Sequence, residues 1–231
     1  MGAVLMINFP DAPTEGQIWA GLSVYFMFRR GQWELAPVEP SLIGGADFAY
    51  GDLYRDIDLP QDYDRFELRI TNFTPDTNAA NPLLGIQPII QAETSPPDTV
   101  GNYQFLMQYV YSGAPAATNY YRYNTATANN DVTSQIIMLN AVGGPFNSSA
   151  SNSMAIVEID NSCTDAQIAQ CHFRSTVYYN HATTGHSLCM SMGQGSRQQV
   201  GRWKKVRVLC KGTPGVSLPV IRGTVALYGF N

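Results

Sequence analysis

The chain has 231 residues and a formal net charge of −4, from 14 Lys+Arg against 18 Asp+Glu, with only 14% of residues charged. A balance of that sign and size lacks the concentrated basic face that nucleic acid requires, so no nucleic-acid partner is expected. No stretch reaches the ~20 apolar residues of a membrane-spanning helix, which argues against membrane insertion.

Polarity comes instead from Asn, Thr, Ser, Gln and Tyr, alongside 20 Gly and 14 Pro. That mixture favours strands and turns over helices. A chain of this length buries roughly 70% of its unfolded surface, so stability needs neither metal nor disulfide, and no cofactor is expected. The opening Met1 to Pro10 has no basic stretch, and its apolar run is too short for a signal peptide. Met6 stands where a myristoylation signal needs Ser or Thr. The expectation is synthesis and assembly in a cytoplasm, without export by signals of the chain's own.

Apolar periodicity is two nearly throughout, which reads as strands. The first pair is Gln17–Phe28 and Gln32–Leu35, turned through Arg29-Arg30-Gly31, where Gly31 offers the positive φ of a tight hairpin. Pro37, Pro40 and Gly44-Gly45 then interrupt the pattern and mark residues 36–46 as a linker. Eleven strand candidates follow: Asp52–Leu59, Arg65–Asn72, Leu83–Gln91, Tyr103–Tyr111, Asn119–Asn124, Gln135–Leu139, Met154–Asp160, Cys171–Asn180, Ser187–Met192, Trp203–Leu209 and Val220–Phe230. Between Ser162 and Gln170, Ser162 or Thr164 could cap a single helical turn. The expected fold is all-β. An N-terminal β-hairpin segment and its linker occupy residues 1–45, and an antiparallel, jelly-roll-like β-sandwich occupies residues 46–231. Residues 112–133 and 141–153 are rich in Ala, Asn, Thr and Ser and nearly uncharged; they read either as plain connections or as a contact surface.

Two segments carry the most information. The first is Ile7-Asn8-Phe9-Pro10-Asp11-Ala12-Pro13-Thr14-Glu15-Gly16-Gln17-Ile18-Trp19, continuing through Gly21, Tyr25 and Phe28 to Gly31-Gln32-Trp33. Pro10 and Pro13 hold an extended lead-in with little entropy left to lose. Gly16 allows the turn into the first strand, and the hairpin brings Trp19, Tyr25, Phe28 and Trp33 within reach of one another. A hairpin this small is marginal alone and must dock on a neighbouring subunit, a larger particle or the following domain. The residues assigned to that attachment are Phe9, Pro10, Pro13, Gly16, Gln17, Trp19, Tyr25 and Trp33. The second segment is Ile221-Arg222-Gly223-Thr224-Val225-Ala226-Leu227-Tyr228-Gly229-Phe230. Alternation puts Val225, Leu227 and Gly229 on one face and Thr224, Ala226, Tyr228 and Phe230 on the other. Both faces are largely apolar, which predicts a central strand covered on each side.

The first segment has the form Phe-Pro-x-x-Pro-x-x-Gly-Gln followed by an aromatic hairpin ending in Gly-x-Trp. Over about 30 residues it resembles a segment common in phage tail-fibre and related virion proteins. It departs from many of them in that Ile18-Trp19-Ala20-Gly21-Leu22 is largely apolar, which leaves both an exposed spacer and a buried docking element open. The closing Gly-Thr-Val-x-Leu-Tyr-Gly strand resembles the last strand of phage tail-fibre and head-fibre sandwiches, and Phe66–Asn72 and Leu84–Gln87 are similar to early strands of that module. The resemblance implies a structural virion protein of a tailed phage, assembled in the host cytoplasm. It would be a fibre, spike or tip that attaches through its N-terminal segment and presents the sandwich for host-surface glycan binding. The partners so implied are itself, as a homotrimer, other virion proteins and a host-surface glycan. The alternatives are a head decoration (capsid-associated) protein, a glycan-degrading tail enzyme and a free carbohydrate-binding module.

Motifs for catalysis are not found: there is no Gly-x-Ser-x-Gly elbow, Gly-rich phosphate loop or His-Glu-x-x-His, so the chain is read as a non-enzyme. Cys163, Cys171, Cys189 and Cys210 lack metal-ligand spacing and read as reduced, buried thiols, with one disulfide as the other reading. His172, His181 and His186 read as ordinary loop histidines rather than a metal site. Asp47, Asp52, Asp56, Asp58, Asp62, Asp64 and Glu67 could supply a glycosidase carboxylate pair or form a plain solvent face. Arg202, Lys204, Lys205, Arg207 and Lys211 alternate with apolar residues, as on the solvated face of an amphipathic strand. Tyrosines cluster, among them Tyr103 and Tyr109, and suit subunit interfaces or sugar rings. Tyr120, Tyr121, Tyr123, Tyr178 and Tyr179 are the interface or glycan candidates.

Overall fold

A computed structural model describes residues 12–15, 17–21, 24–35, 41–75, 82–90, 93–96, 103–111, 118–124, 135–140, 152–163, 166–181, 185–212 and 217–230. The chain forms two compact units, Met1–Pro40 and Ser41–Asn231. In the described residues every regular element is a strand.

The first unit is an antiparallel three-stranded meander of β1 (Ile18–Gly21), β2 (Val24–Arg29) and β3 (Gln32–Leu35). The single strand expected over 17–28 is thus two, with Ile18 opposite Met27 and Gly21 opposite Val24. One long strand against the short β3 would leave half its backbone groups without a ladder partner; folding back on itself pairs them. Arg30 (φ 51°) and Gly31 (φ 80°) both adopt positive φ, the signature of a two-residue hairpin turn with the strands' own twist. The Glu15 carboxylate accepts a hydrogen bond from the Arg30 N–H at 3.1 Å.

The second unit is an antiparallel β-sandwich. Its large sheet runs in the order β4 (Ser41–Phe48), β16 (Val220–Phe230), β6 (Arg65–Pro75), β11 (Asn152–Asp160), β12 (Gln170–His181), β13 (Gly185–Arg197), β8 (Tyr103–Tyr111), β9 (Thr118–Asn124). The small sheet runs β10 (Ile136–Asn140), β7 (Leu83–Ile90), β14 (Trp203–Lys211), β15 (Ser217–Leu218), with β5 (Tyr54–Asp58) also paired to β14. Between them lies one apolar core. The large sheet supplies inward residues such as Phe66, Leu68, Ile70, Val157, Ile159, Phe173 and Phe105, and the small sheet supplies Ile86, Ile136, Val206 and Val208. Each such side chain contributes roughly 1.5–3 kcal/mol by leaving water.

Two expectations change here. Residues 41–46, read as linker, are strand: β4 pairs with β16, Ala46 opposite Val225 and Gly45 opposite Ala226. Gly45 is a close-approach residue rather than a breaker, since a Cβ there would sit 2.4 Å from the Val225 carbonyl oxygen. The closing β16 is an interior strand, one in from the edge strand β4, but covered on one face only. Val225, Leu227 and Gly229 are buried, whereas Ala226, Tyr228 and Phe230 are half-buried beneath the Arg69 and Arg65 guanidiniums, at 4.3 and 5.8 Å from the Tyr228 and Phe230 ring centres. The apolar second face is served by neighbouring arginines, not by a third layer. The single helical turn expected near Ser162 and Thr164 falls on residues 164 and 165, outside the described residues; beyond them Ala166 is in a turn and Ile168 makes an isolated bridge to Gly201.

Three polar contacts tie the two sheets together across this core. Asn161, fully buried after β11, accepts from the Trp203 N–H at 2.8 Å and donates to the Trp203 carbonyl at 2.9 Å. The Ser175 hydroxyl of β12 donates to the Met138 carbonyl of β10 at 2.6 Å. Arg197, buried at the end of β13, donates to the Pro88 carbonyl of β7 at 3.1 Å and makes a two-pronged ion pair with Glu93. The large majority of buried polar groups in folded proteins are paired in this way.

Register irregularities explain oddities in the sequence. Ile70 pairs with Ala155 but Phe73 with Ser153, so β6 carries an extra residue there, and Asn72 occupies the left-handed region at φ 53°. The bulge resets the alternation and turns Phe73 inward, where its ring meets Phe48 edge-on at 5.3 Å. A second shift between Trp203 and Lys205 lets the consecutive Lys204 and Lys205 sit beside a fully buried Trp203.

Two predictions follow from these contacts. Asn72→Val should cost roughly 1–2 kcal/mol in denaturant unfolding, because a β-branched residue resists the left-handed region, while Asn72→Gly should hold wild-type stability. The Arg197 guanidinium holds the Glu93 carboxyl below its ordinary value of 4.5. Its stabilisation is therefore complete above that value and lost as pH falls through the lowered one. Glu93→Gln should cost about 3 kcal/mol at neutral pH, and its melting temperature should fall less than wild type's on acidification below pH 4.5.

Candidate functional site

The outer face of the large sheet is a grid whose rows follow from strand register. One row runs Leu106, Gln194, His172, Glu158, Glu67, Tyr228, Leu42, each residue directly opposite the next. A second runs Gln108, Met192, Arg174, Ile156, Arg69, Ala226, and a third runs Gln104, Ser196, Gln170, Asp160, Arg65, Phe230. The grid has two halves. Across β16, β6 and β11 it carries ion pairs and arginine–aromatic contacts, such as Arg69 with Glu67 at 2.5 Å. Across β13 and β8 it carries amides and apolar side chains.

Two shallow depressions mark the second half. One, of about 260 Å³, is lined by Gln104, Leu106, Gln170, Gln194 and Ser196; the other, of about 340 Å³, by Leu106, Gln108, His172 and Met192. Amides both donate and accept, so neutral hydroxyl-rich ligands match this lining better than ions do. A third depression, of about 440 Å³, lies in the charged half between Arg65, Glu67, Glu158, Asp160 and His172. There Ser162 donates to Asp160 through its hydroxyl at 2.6 Å and its N–H at 3.1 Å, which lowers the Asp160 pKa.

The acidic and basic clusters of the sequence meet each other. β5 pairs with β14 so that Asp58 lies opposite Lys205 and Asp56 opposite Arg207. Lys205 reaches Asp58 at 2.8 Å, and Arg207 grips Asp56 in two bonds of 2.7 and 2.9 Å while stacking over Tyr54 at 3.7 Å. Arg202 pairs with Asp64, Arg55 with Asp52, and Thr224 donates to Asp47. The half-exposed Lys204, Lys205 and Arg207 fit the solvated strand face expected of them, and Lys211 departs from it by being buried.

Of the attachment residues, Phe9, Pro10 and Gly16 lie outside the described residues. Pro13 and Gln17 are half-buried, with Gln17 locked to Thr14 by reciprocal 2.9 Å bonds: the Thr14 N–H donates to the Gln17 side-chain amide oxygen and the Gln17 N–H to the Thr14 carbonyl. Trp33 packs edge-on against Phe28 at 5.4 Å. Trp19 and Tyr25 stand on β1 and β2 opposite Phe26 and Ala20, and their side chains lie outside the described residues. The same holds for the side chains of Tyr120, Tyr121, Tyr123, Tyr178 and Tyr179. By register Tyr121 and Tyr123 stand opposite Gln108 and Leu106, Tyr120 opposite Tyr109, Tyr178 opposite Leu188 and Tyr179 opposite Ser187. Tyr103 and Tyr109, also in the tyrosine clusters, are buried in the core and offer no contact surface.

None of the four cysteines is in a disulfide, and Cys171, Cys189 and Cys210 are buried. Burial pushes the Cys171 thiol up to about 12 and Cys189 to about 11, and raises Cys210 as well. Thiolate is the reactive form, so these three are inert. Alkylation of the native chain at pH 8 should therefore modify the half-exposed Cys163 alone, with the other three labelled after denaturation. Comparison with known protein families, curated proteins and solved structures gives no match to this chain.

Proposed function

We propose that the chain is a structural and binding protein of a tailed-phage particle, a fibre, spike or tip component. It attaches through its N-terminal unit, assembles as a homotrimer and presents the sandwich toward a host-surface glycan. The observation that carries this reading is the coupling of the Phe9-Pro10-x-x-Pro13-x-x-Gly16-Gln17 lead-in and its aromatic meander to a separate, self-contained sandwich. A three-stranded meander with so little interior gains stability by docking, and docking is what an attachment element does. The amide-lined outer face supports neutral-glycan recognition, since amides pair with sugar hydroxyls without the desolvation cost of charges. The engagement of Asp52, Asp56, Asp58 and Asp64 by cations supports binding over cleavage, because a glycosidase acid and nucleophile must be free to face substrate.

Deleting residues 1–35 should leave a sandwich that melts as the intact protein does but is missing from assembled particles. Normal incorporation of the truncated chain refutes the anchoring role, and a glycan array without a single bound neutral glycan refutes the receptor role.

A further inference from the structure

β13 is oriented against its own amphipathicity. Alternation puts Leu188, Met190 and Met192 on one face and Cys189, Ser191, Gly193 and Gly195 on the other. Hydrophobic burial alone selects the bulky set for the interior. The fold does the reverse: Cys189 and Ser191 are buried, and Leu188, Met190 and Met192 are 41%, 50% and 60% exposed. The small residues have a packing reason to face inward. A Cβ on Gly193 would lie 2.6 Å from the tip of the Phe173 ring, and one on Gly195 would lie 2.5 Å from Ile136 Cγ2. That accounts for the inner face. It gives no reason for a leucine and two methionines outside, where Thr, Lys or Glu serve a solvated sheet.

Neighbouring strands extend the same patch. On β8, Val110 lies opposite Met190, and Leu106 lies opposite Gln194, the residue next along that face of β13; they are 36% and 49% exposed. On β11, Met154 lies opposite Thr176, itself opposite Met190, and is 45% exposed. Six exposed apolar side chains thus gather on one sheet face, a cluster of the kind that marks interaction sites.

We infer that this patch is the face on which copies of this chain pack against one another, an assignment that rests on the self-associating reading above. From the Leu106–Gln194 row to the Leu188 row the outer face of β11, β12, β13, β8 and β9 measures about 24 Å by 24 Å, or about 580 Å², from strand spacing and rise, and the Gln104–Ser196–Gln170 row lies outside it. Each partner in the smaller specific interfaces contributes about 600 Å². The composition also suits a copy of itself. The centre is Met and Leu, with the unbranched methionines able to interdigitate with their own kind. Amides border it at Gln108 and Gln194, and the described charges beside it, Arg174 and Glu158, are of opposite sign. A symmetry-related copy therefore meets an apolar centre and a rim without like-charge conflict.

The test compares the intact wild-type chain with a Met190→Glu/Met192→Glu variant by analytical centrifugation. Hydroxyl-radical footprinting of the wild-type methionines at assembling and at dilute concentrations accompanies it. The wild type should be oligomeric with Met190 and Met192 protected, and the double variant should associate at least about 100-fold more weakly at an unchanged melting temperature. Equal labelling of both methionines in oligomer and monomer overturns the surface assignment while leaving self-association standing, and so does a folded double variant that still assembles. A wild-type chain that stays monomeric overturns both. Should the variant fail to fold, the wild-type footprint decides alone.

Discussion

One apolar interior shared by two sheets of unequal width governs this molecule. Five strands cannot cover eight, so the inner face of the large sheet is sealed mainly under β10, β7, β14 and β5, while its outer face stays open. The seal is finished by polar contacts where the ladders end: Asn161 on the Trp203 backbone, Ser175 on Met138, Arg197 on Pro88 and Glu93. Apolar area is non-directional and supplies the driving force. The hydrogen bonds set which residue of one sheet faces which residue of the other.

The same geometry distributes charge. β5 and β14 neutralise each other along the small sheet, Asp58 against Lys205 and Asp56 against Arg207. Exposed pairs of this kind are worth little individually, about 0–1 kcal/mol, but they fix partner and register, because a one-residue slip would break every pair at once. What remains without such compensation is the amide and methionine half of the large sheet.

Strand existence was largely legible in the sequence. Tyr103–Tyr111 and Val220–Phe230 appear at the predicted bounds, and most other strands lie within a few residues of theirs. Misreadings came where one residue type has two physical uses. Gly44-Gly45 looked like a break and is a site of close backbone approach; residues 17–28 looked like one strand because the reversal after Gly21 leaves the apolar pattern intact. Asn72 in a run of strand residues was the available signal of a bulge, since Asn is among the few residues that tolerate left-handed backbone. The outer-face site was less legible. Leu188-x-Met190-x-Met192 announces an apolar stripe, but a period of two does not say which face turns inward.

By itself, then, the sequence determined an all-β chain with an N-terminal hairpin region, reduced thiols as the favoured reading and aromatics gathered on that hairpin, Phe28 and Trp33 among them, because these rest on local periodicity, turn chemistry and spacing. Only the tertiary structure decided the inverted facing of β13, the one-sided cover of β16 and the mutual neutralisation of β5 and β14. Each depends on which strand lies alongside or beneath another, and the side chain of Ile136 that keeps Gly195 turned inward comes from a strand remote in sequence, in the other sheet.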